Sequence, residues 1–237
     1  MQDSSSIFVT AFQLIAKLDS DLVEIVLLSL QVSLTAVFIS TLIAIPVGAV
    51  LGTYHFRGRG FVIGVLNALM GLPPVVVGLM LYLMFSRSGP LGDLNLLFTS
   101  KAMIIAQTIL ITPIIASLTQ QTIEDLFQHH SEQFKALGAA THKTLLPLLW
   151  DARTSLFTAL LAGFGRASAE VGAVIIVGGN INHVTRVMTT TIALETSKGN
   201  LELAMALGII LLTISFSVTC LMMLIRHHQS DRKLRLA

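Results

Sequence analysis

Charged side chains are scarce in this chain, because they make up 12% of its 237 residues while 54% of the residues are hydrophobic. A soluble domain carries roughly 25% charged residues, so this chain has too few to cover a water-facing surface. The mean hydropathy is +0.80. The composition therefore excludes an ordinary soluble protein and predicts that lipid surrounds most of the chain.

Several motifs and residue types are also absent. The single cysteine, Cys220, excludes an internal disulfide framework. None of the six lysines follows a glycine, so the chain lacks the Gly-Lys-Ser/Thr ending of a phosphate-binding loop. No His-Glu-x-x-His or Gly-x-Ser-x-Gly motif supports an intramembrane enzyme. The histidines form no His-x-x-x-His pair, so no metal site is expected, and the net charge of +2 gives no indication of nucleic-acid binding.

Five apolar stretches approach or exceed the roughly 20 residues that a spanning helix needs. They cover about residues 25–51, 61–85, 102–118, 156–177 and 203–225. Residues 1–6 lack the basic start of a cleavable signal, so the first span is expected to direct insertion. Residues 7–18 have apolar positions at helical spacing but are too short to cross, which predicts an interfacial helix, with a tilted sixth span as the alternative.

Lysine and arginine are divided unevenly between the loops, and this division predicts the orientation. The richer set, expected in the cytoplasm, comprises Arg57, Arg59, Lys135, Lys143, Arg153, Arg226, Arg232, Lys233 and Arg235. The poorer set comprises Lys17, Arg87, Lys101, Arg186 and Lys198. The N-terminus is therefore predicted outside and the C-terminus inside, with an outer segment 1–23, a membrane domain 24–226 and a basic tail 227–237.

The longest polar connection covers about residues 120–153 and falls on the cytoplasmic side. Its middle is predicted to be helical, because Phe134, Leu137, Thr141, Leu145 and Leu148 share one helical face. Such a length is unusual for a turn between packed helices. An amphipathic cytoplasmic loop in a small membrane protein indicates a docking surface for a partner.

Small and helix-distorting residues occur inside the spans. Gly48 and Gly52 form a Gly-x-x-x-Gly pair, which predicts close helix packing. Pro73 and Pro74 interrupt the second span, and prolines free backbone carbonyls that protein or cavity water must satisfy. Two interpretations stay open for these prolines, a simple kink or a bent helix beside a transport pathway.

Three parts of the chain resemble the permeases of ABC importers. Glu-Gln-Phe-Lys-Ala-Leu-Gly at residues 132–138 is similar to their cytoplasmic signature, with Gln133 and Phe134 in place of two alanines. Gly-Leu-Pro-Pro-Val-Val-Val-Gly at 71–78, followed by Ser-Arg-Ser-Gly-Pro-Leu-Gly at 86–92, resembles molybdate, sulfate and tungstate permeases. Gly-Arg-Ala-Ser-Ala-Glu-Val-Gly-Ala at 165–173, with Gly-Gly-Asn-Ile at 178–181, is similar to the tungstate group in particular.

The resemblance covers about residues 24–226 and implies an all-α, type I importer permease in the bacterial inner membrane. It implies two permease copies, two separate ATP-binding cassette subunits and an outer tungstate-binding protein. ATP and magnesium would bind the ATPase partner, and this chain would hold no cofactor and have no ATPase site of its own. The signature loop would couple the permease to the ATPase through Glu132, Lys135, Ala136, Leu137, Gly138 and Ala139.

Arg166 and Glu170 are charged residues inside the fourth predicted span. They are four residues apart, so they can pair on one helical face. Charged groups at the bilayer centre are costly and face a protein interior or a water-filled cavity. The pair either fastens neighbouring helices or tunes a pathway for a dianion. The candidate pathway residues are Pro73, Pro74, Arg166, Ser168, Glu170 and Gly172.

The predicted outer segment 178–200 is rich in neutral hydrogen-bonding side chains. They are Asn180, Asn182, Thr185, Thr189, Thr190 and Thr191. These groups are expected to solvate a loop that faces the binding protein, with contact to an oxyanion as the alternative. A molybdate or sulfate permease of the same class remains possible for the whole chain, as does a secondary transporter that needs no ATPase.

Overall fold

The computed structural model describes residues 13, 15–17, 19–136 and 141–236. These residues form helices joined by turns, and no strand occurs among them. The helices are α1 Ser20–Thr53, α2 Arg59–Met70, α3 Pro74–Phe85, α4 Ser100–Ala136, α5 Thr141–Asp151, α6 Arg153–Ser168, α7 Gly172–Gly178, α8 Met188–Lys198 and α9 Leu201–Leu236, with a 3-10 turn at Gly92–Leu94. The predicted interfacial helix at 7–18 lies mostly outside the described residues.

The described chain contains three helices that are long and apolar enough to cross a membrane. They are α1, the stretch Ser100–His130 of α4 and the stretch Leu201–Cys220 of α9. Two bent pairs, α2 with α3 and Thr144–Asp151 with α6, raise the number of candidate spans to five if each pair is one span. Helices satisfy their own backbone hydrogen bonds, which lipid cannot do. The predicted all-α membrane fold is confirmed.

The long helices α1 and α4 pack closely because α1 presents glycine to α4. A Cβ atom on Gly48 would lie 2.6 Å from the carbonyl oxygen of Ala116. One on Gly52 would lie 2.9 Å from the carbonyl oxygen of Gln120. Lipid gives no hydrophobic drive for helices to associate, so close approach and van der Waals contact hold such pairs together. The Gly-x-x-x-Gly pair occupies the face of α1 that contacts α4.

The second predicted span, residues 61–85, is divided into two helices at the prolines that interrupt it. α2 ends at Met70, α3 begins at Pro74, and the two helices are bent by 95°. Pro73 has extended backbone, with φ −67° and ψ 119°, as expected for a residue that precedes proline. Pro74 occupies the first turn of α3, where a missing N–H leaves no hydrogen bond unmade. The prolines therefore end one helix and start another.

The fourth predicted span, residues 156–177, is also divided between two helices. α6 ends at Ser168 and α7 begins at Gly172. The Glu170 carboxylate accepts the N–H of Ala173 at 3.1 Å, so it satisfies a free donor in the first turn of α7. The same side chain that was predicted to stand on a continuous helix therefore stabilises a break in that helix.

Most of the polar connection at 120–153 is helical, as predicted. α4 continues to Ala136, and α5 follows from Thr141. Leu148 is buried in an apolar cluster with Ile123 and Leu156, and Phe134 and Leu145 pack against it. Leu137 lies outside the described residues, so its predicted place on this face stays a prediction.

Candidate functional site

One helix break separates α2 from α3, and another separates α6 from α7. These two breaks bring α3 and α7 into close contact. A Cβ atom on Gly78 of α3 would lie 2.8 Å from the Cα of Ala173. One on Gly172 would lie 2.9 Å from a methyl group of Val75. Two candidate pathway residues, Pro74 and Gly172, thus begin helices that pack on each other. Broken helices expose backbone groups inside a membrane protein, and such places commonly line solute pathways in transporters.

Arg166 and Glu170 form an ion pair beside this contact. Arg166 Nη1 lies 2.5 Å from Glu170 Oε2. The Glu170 side chain is buried at 3% exposure, whereas that of Arg166 is 32% exposed. Thr189 also donates its hydroxyl to the Glu170 carbonyl at 2.8 Å, which ties the start of α8 to the break. The arginine therefore offsets a buried carboxylate while it keeps partial access to the surroundings.

Three threonines in the loop before α8 and in its first turn form internal hydrogen bonds, so the prediction that they solvate the loop is wrong for them. Thr185, Thr190 and Thr191 are buried. Thr185 donates to the Gly178 carbonyl at 2.5 Å, and Thr190 donates to Asn180 Oδ1 at 2.9 Å. Their hydroxyls satisfy backbone and amide groups of a tight turn in which Gly179 and Asn180 have positive φ.

His183 joins this loop to the start of α1. Its Nδ1 lies 2.7 Å from Glu24 Oε2, and both side chains are largely exposed. The hydrogen bond that His183 donates to the Glu24 carboxylate, and then the charge of that carboxylate, raise the pKa of His183 above its ordinary value of 6.5. Asp21, Glu24 and His183 form an exposed group. Their side-chain atoms that could bind a metal ion lie within 4.8 Å of one another.

An ion pair at the other end of the molecule was missed from the sequence. Arg59 Nη2 lies 2.8 Å from Glu124 Oε2, and Arg59 Nε donates to the Leu51 carbonyl at 2.8 Å. This arginine was counted only as a cytoplasmic charge. It joins the end of α1, the start of α2 and α4. The sequence signal is weak, because the two partners are far apart along the chain.

Three of the proposed coupling residues lie at the end of α4. Glu132 is exposed near the end of α4, and Lys135 and Ala136 form its last residues. Leu137, Gly138 and Ala139 lie outside the described residues. On α5, Leu146 and Trp150 are 78% and 70% exposed. The Arg153 guanidinium lies 5.1 Å from the centre of the Trp150 ring, which holds that ring in a cation–π contact.

Comparison with known proteins relates the chain to transport proteins. The chain is 42% identical over 205 residues to the "Probable anion ABC transporter permease protein" of Haloferax volcanii, covering 84% of this chain and 88% of that protein. It is 40% identical to the tungstate uptake system permease protein TupB of Peptoclostridium acidaminophilum, over 89% of this chain and 92% of that protein. Identity to TupB of Campylobacter jejuni is 38%, over 69% of this chain and 68% of that protein.

The family model for binding-protein-dependent transport system inner membrane components matches residues 44–233. This range includes both helix breaks, the Arg166–Glu170 pair and the signature loop. The chain belongs to the family of binding-protein-dependent transport system inner membrane components.

Proposed function

We propose that this chain forms the membrane path of an ABC importer for tungstate. The observation that carries the proposal is the 40% identity to a tungstate uptake permease over 89% of the chain. Relatives named for sulfate and molybdenum transport are 25–27% identical over 65–80% of the chain. Tungstate is therefore favoured over the other two tetrahedral dianions.

The working assembly contains two copies of this chain, two ATPase subunits and an outer binding protein for the anion. The absence of a Gly-Lys-Ser/Thr sequence supports a separate ATPase subunit, which would bind ATP and magnesium. This chain needs no cofactor in this scheme. The proposed pathway residues Pro73, Pro74, Arg166, Ser168, Glu170 and Gly172 lie at or next to the two helix breaks.

The ATPase would dock on the surface formed by the signature loop and the exposed side of α5. Leu146 and Trp150 expose apolar area on α5, which begins at Thr141, three residues after Gly138 in the sequence. Apolar and aromatic anchors commonly dominate such interfaces. We expect Trp150→Ala and Gly138→Asp to weaken co-purification of the ATPase or to uncouple ATP hydrolysis from uptake.

Phe216→Ala is the matched control for the docking surface, because Phe216 on α9 is 72% exposed and lies in a candidate span far along the chain from α5. This variant should retain the ATPase. Normal coupling and co-purification in both Trp150→Ala and Gly138→Asp would show that the ATPase docks elsewhere.

Substrate choice is tested in cells that lack tungstate uptake and express this chain with its ATPase and binding protein. We expect uptake of radiolabelled tungstate, with unlabelled tungstate competing better than molybdate or sulfate. Stronger competition by molybdate or sulfate would reassign the substrate. Uptake that persists without the ATPase would indicate a secondary transporter instead.

A further inference from the structure

A polar cavity lies between α1, α4, the end of α6, the start of α8 and α9. Its polar lining comes from Ser29 and Ser33 on α1, Gln107 on α4, Ser168 on α6 and Thr189 on α8. Among the described residues, no charged side chain lines it, and the rest of its wall is apolar. The cavity is small, since the centre of a water molecule can occupy only about 20 Å³ of it.

Two of these polar groups are satisfied by the protein. The Ser29 hydroxyl donates to the Ile25 carbonyl at 2.6 Å and accepts the Met188 N–H at 2.7 Å. Thr189 donates its hydroxyl to the Glu170 carbonyl. Both therefore hold α8 against the rest of the molecule and have little capacity left for a ligand.

The other three groups have unused hydrogen-bonding capacity. Gln107 is 4% exposed, and its Oε1 atom has no partner among the described residues. The hydroxyls of Ser33 and Ser168 also have no partner within the described part of the chain. An unsatisfied polar group in a protein interior costs about 1–3 kcal/mol. Gln107 Oε1 is such a buried atom, and the Ser33 and Ser168 hydroxyls line the same cavity, which together indicate a site for a polar occupant.

Resting on the tungstate proposal above, we propose that this cavity, when widened, holds the tetrahedral oxyanion in transit through neutral donors. The hydroxyls of Ser33 and Ser168 would donate to the anion. The lining residues that the structure describes include no carboxylate, so the cavity does not suit a cation. Neutral donors bind a dianion weakly enough for it to leave, which conduction requires.

In this scheme, the Gln107 side chain holds α4 against α6 while the cavity is narrow. Its Nε2 donates to the Ala167 carbonyl at 3.0 Å, and Ala167 lies at the end of α6 just before the break. The present space admits about one water molecule, not a five-atom anion. Separation of the broken span from α4 would widen the cavity and release this N–H group, which could then donate to the anion.

The test measures uptake of radiolabelled tungstate by the complete transporter reconstituted with its ATPase and binding protein. Ser33→Val and Ser33→Thr have the same shape, but only threonine keeps a hydroxyl. We expect the valine variant to take up tungstate about tenfold more slowly than the threonine variant, since a hydrogen bond to a charged group is lost. Gln107→Glu should also reduce uptake, because an ionised carboxylate in the cavity would repel the anion.

Ser40→Ala is the matched control on α1. Ser40 is fully buried two turns after Ser33, and its hydroxyl donates to the Thr108 carbonyl at 3.3 Å, outside the cavity. We expect Ser40→Ala to transport normally. In the Ser33→Val and Gln107→Glu variants, the binding protein should still stimulate ATP hydrolysis, because assembly and docking are intact.

Three results would overturn the cavity proposal. Equal uptake by the valine and threonine variants would do so, as would normal uptake by Gln107→Glu. A matched loss of uptake, assembly and stimulated ATP hydrolysis in the cavity variants would assign these residues to packing alone. Failure of the unaltered transporter to take up tungstate would instead refute the proposed function, which separates the two hypotheses.

Discussion

At the scale of single residues, the Arg166–Glu170 pair joins charge to backbone structure. Glu170 is buried and holds both the arginine and the N–H of Ala173. Removing one partner from a buried pair is far more costly than removing both, because a lone buried charge remains. The pair therefore has a structural role that is independent of any contact with the transported anion.

We expect Arg166→Gln to lower the stability of the purified permease by about 1–3 kcal/mol, which is less than for a fully buried pair because Arg166 is partly exposed. The melting temperature in detergent measures this loss. The double variant Arg166→Gln/Glu170→Gln should recover most of it. Full recovery of stability without recovery of uptake would assign the arginine to the pathway. Unchanged stability and uptake in Arg166→Gln would contradict both roles.

His183 gives the loop before α8 a dependence on pH. Its pKa is raised in the folded state by Glu24, so protonated His183 stabilises the fold. This contribution is fully present below the ordinary pKa of 6.5 and is lost as the pH rises through the raised value. We expect His183→Gln to lower the melting temperature at pH about 5.5 and to leave it unchanged at pH about 9. Equal effects at both pH values would show that the contact is not electrostatic.

At the scale of helices, contact between α1 and α4 requires glycine. The Cβ of an alanine at position 48 would lie 2.6 Å from a backbone oxygen, which cannot move without shifting α4. We expect Gly48→Ala to destabilise the permease by about 1–3 kcal/mol, as overpacked cores do. Unfolding in increasing concentrations of denaturing detergent provides the measurement.

Gly60→Ala on α2 is the matched control for this substitution. A Cβ atom there meets no atom within 4 Å, and the residue has ordinary helical backbone. We expect no loss of stability, because alanine favours a helix more than glycine does. A loss equal to that of Gly48→Ala would show that helix flexibility, rather than contact with α4, governs both positions.

The helix breaks explain where prediction from the sequence stopped. Pro46, Pro113 and Pro147 lie within continuous helices, so a proline alone does not predict a break. The pair Pro73–Pro74 follows Gly71 and ends the helix completely. The break between α6 and α7 contains no proline. It depends instead on the Glu170 carboxylate and on the contact between Gly172 and Val75. Such tertiary contacts leave no periodic signal in a sequence.

Composition and periodicity were sufficient for the membrane fold and for the amphipathic stretch that ends in α5. They could not reveal Gln107, because one amide in an apolar helix gives no sign of the cavity that it faces. They also placed Thr185, Thr190 and Thr191 in solvent, since residue type alone does not show whether a hydroxyl finds its partner inside a turn. Partners close in space but distant in sequence account for each of these failures.

At the scale of the whole molecule, the structure combines long packed helices with two short helices at the breaks. α1 and α4 provide a closely packed frame, whereas α3 and α7 contact each other through small residues. Small interhelical contacts can be rearranged with few side-chain changes, and alternating access requires such movement. The exposed side of α5 lies at the end where an ATPase would bind. A rigid pair of helices, a contact that can rearrange and an exposed docking side fit a permease that receives its energy from a partner subunit.

The most direct measurement of the central claim is tungstate uptake by proteoliposomes that contain this chain together with its ATPase subunit. We expect uptake only when ATP is inside with the ATPase and when the binding protein is on the opposite side. ATP hydrolysis should rise when the loaded binding protein is added. Tungstate accumulation without ATP, or ATP hydrolysis stimulated by loaded binding protein without any accumulation, would contradict the account.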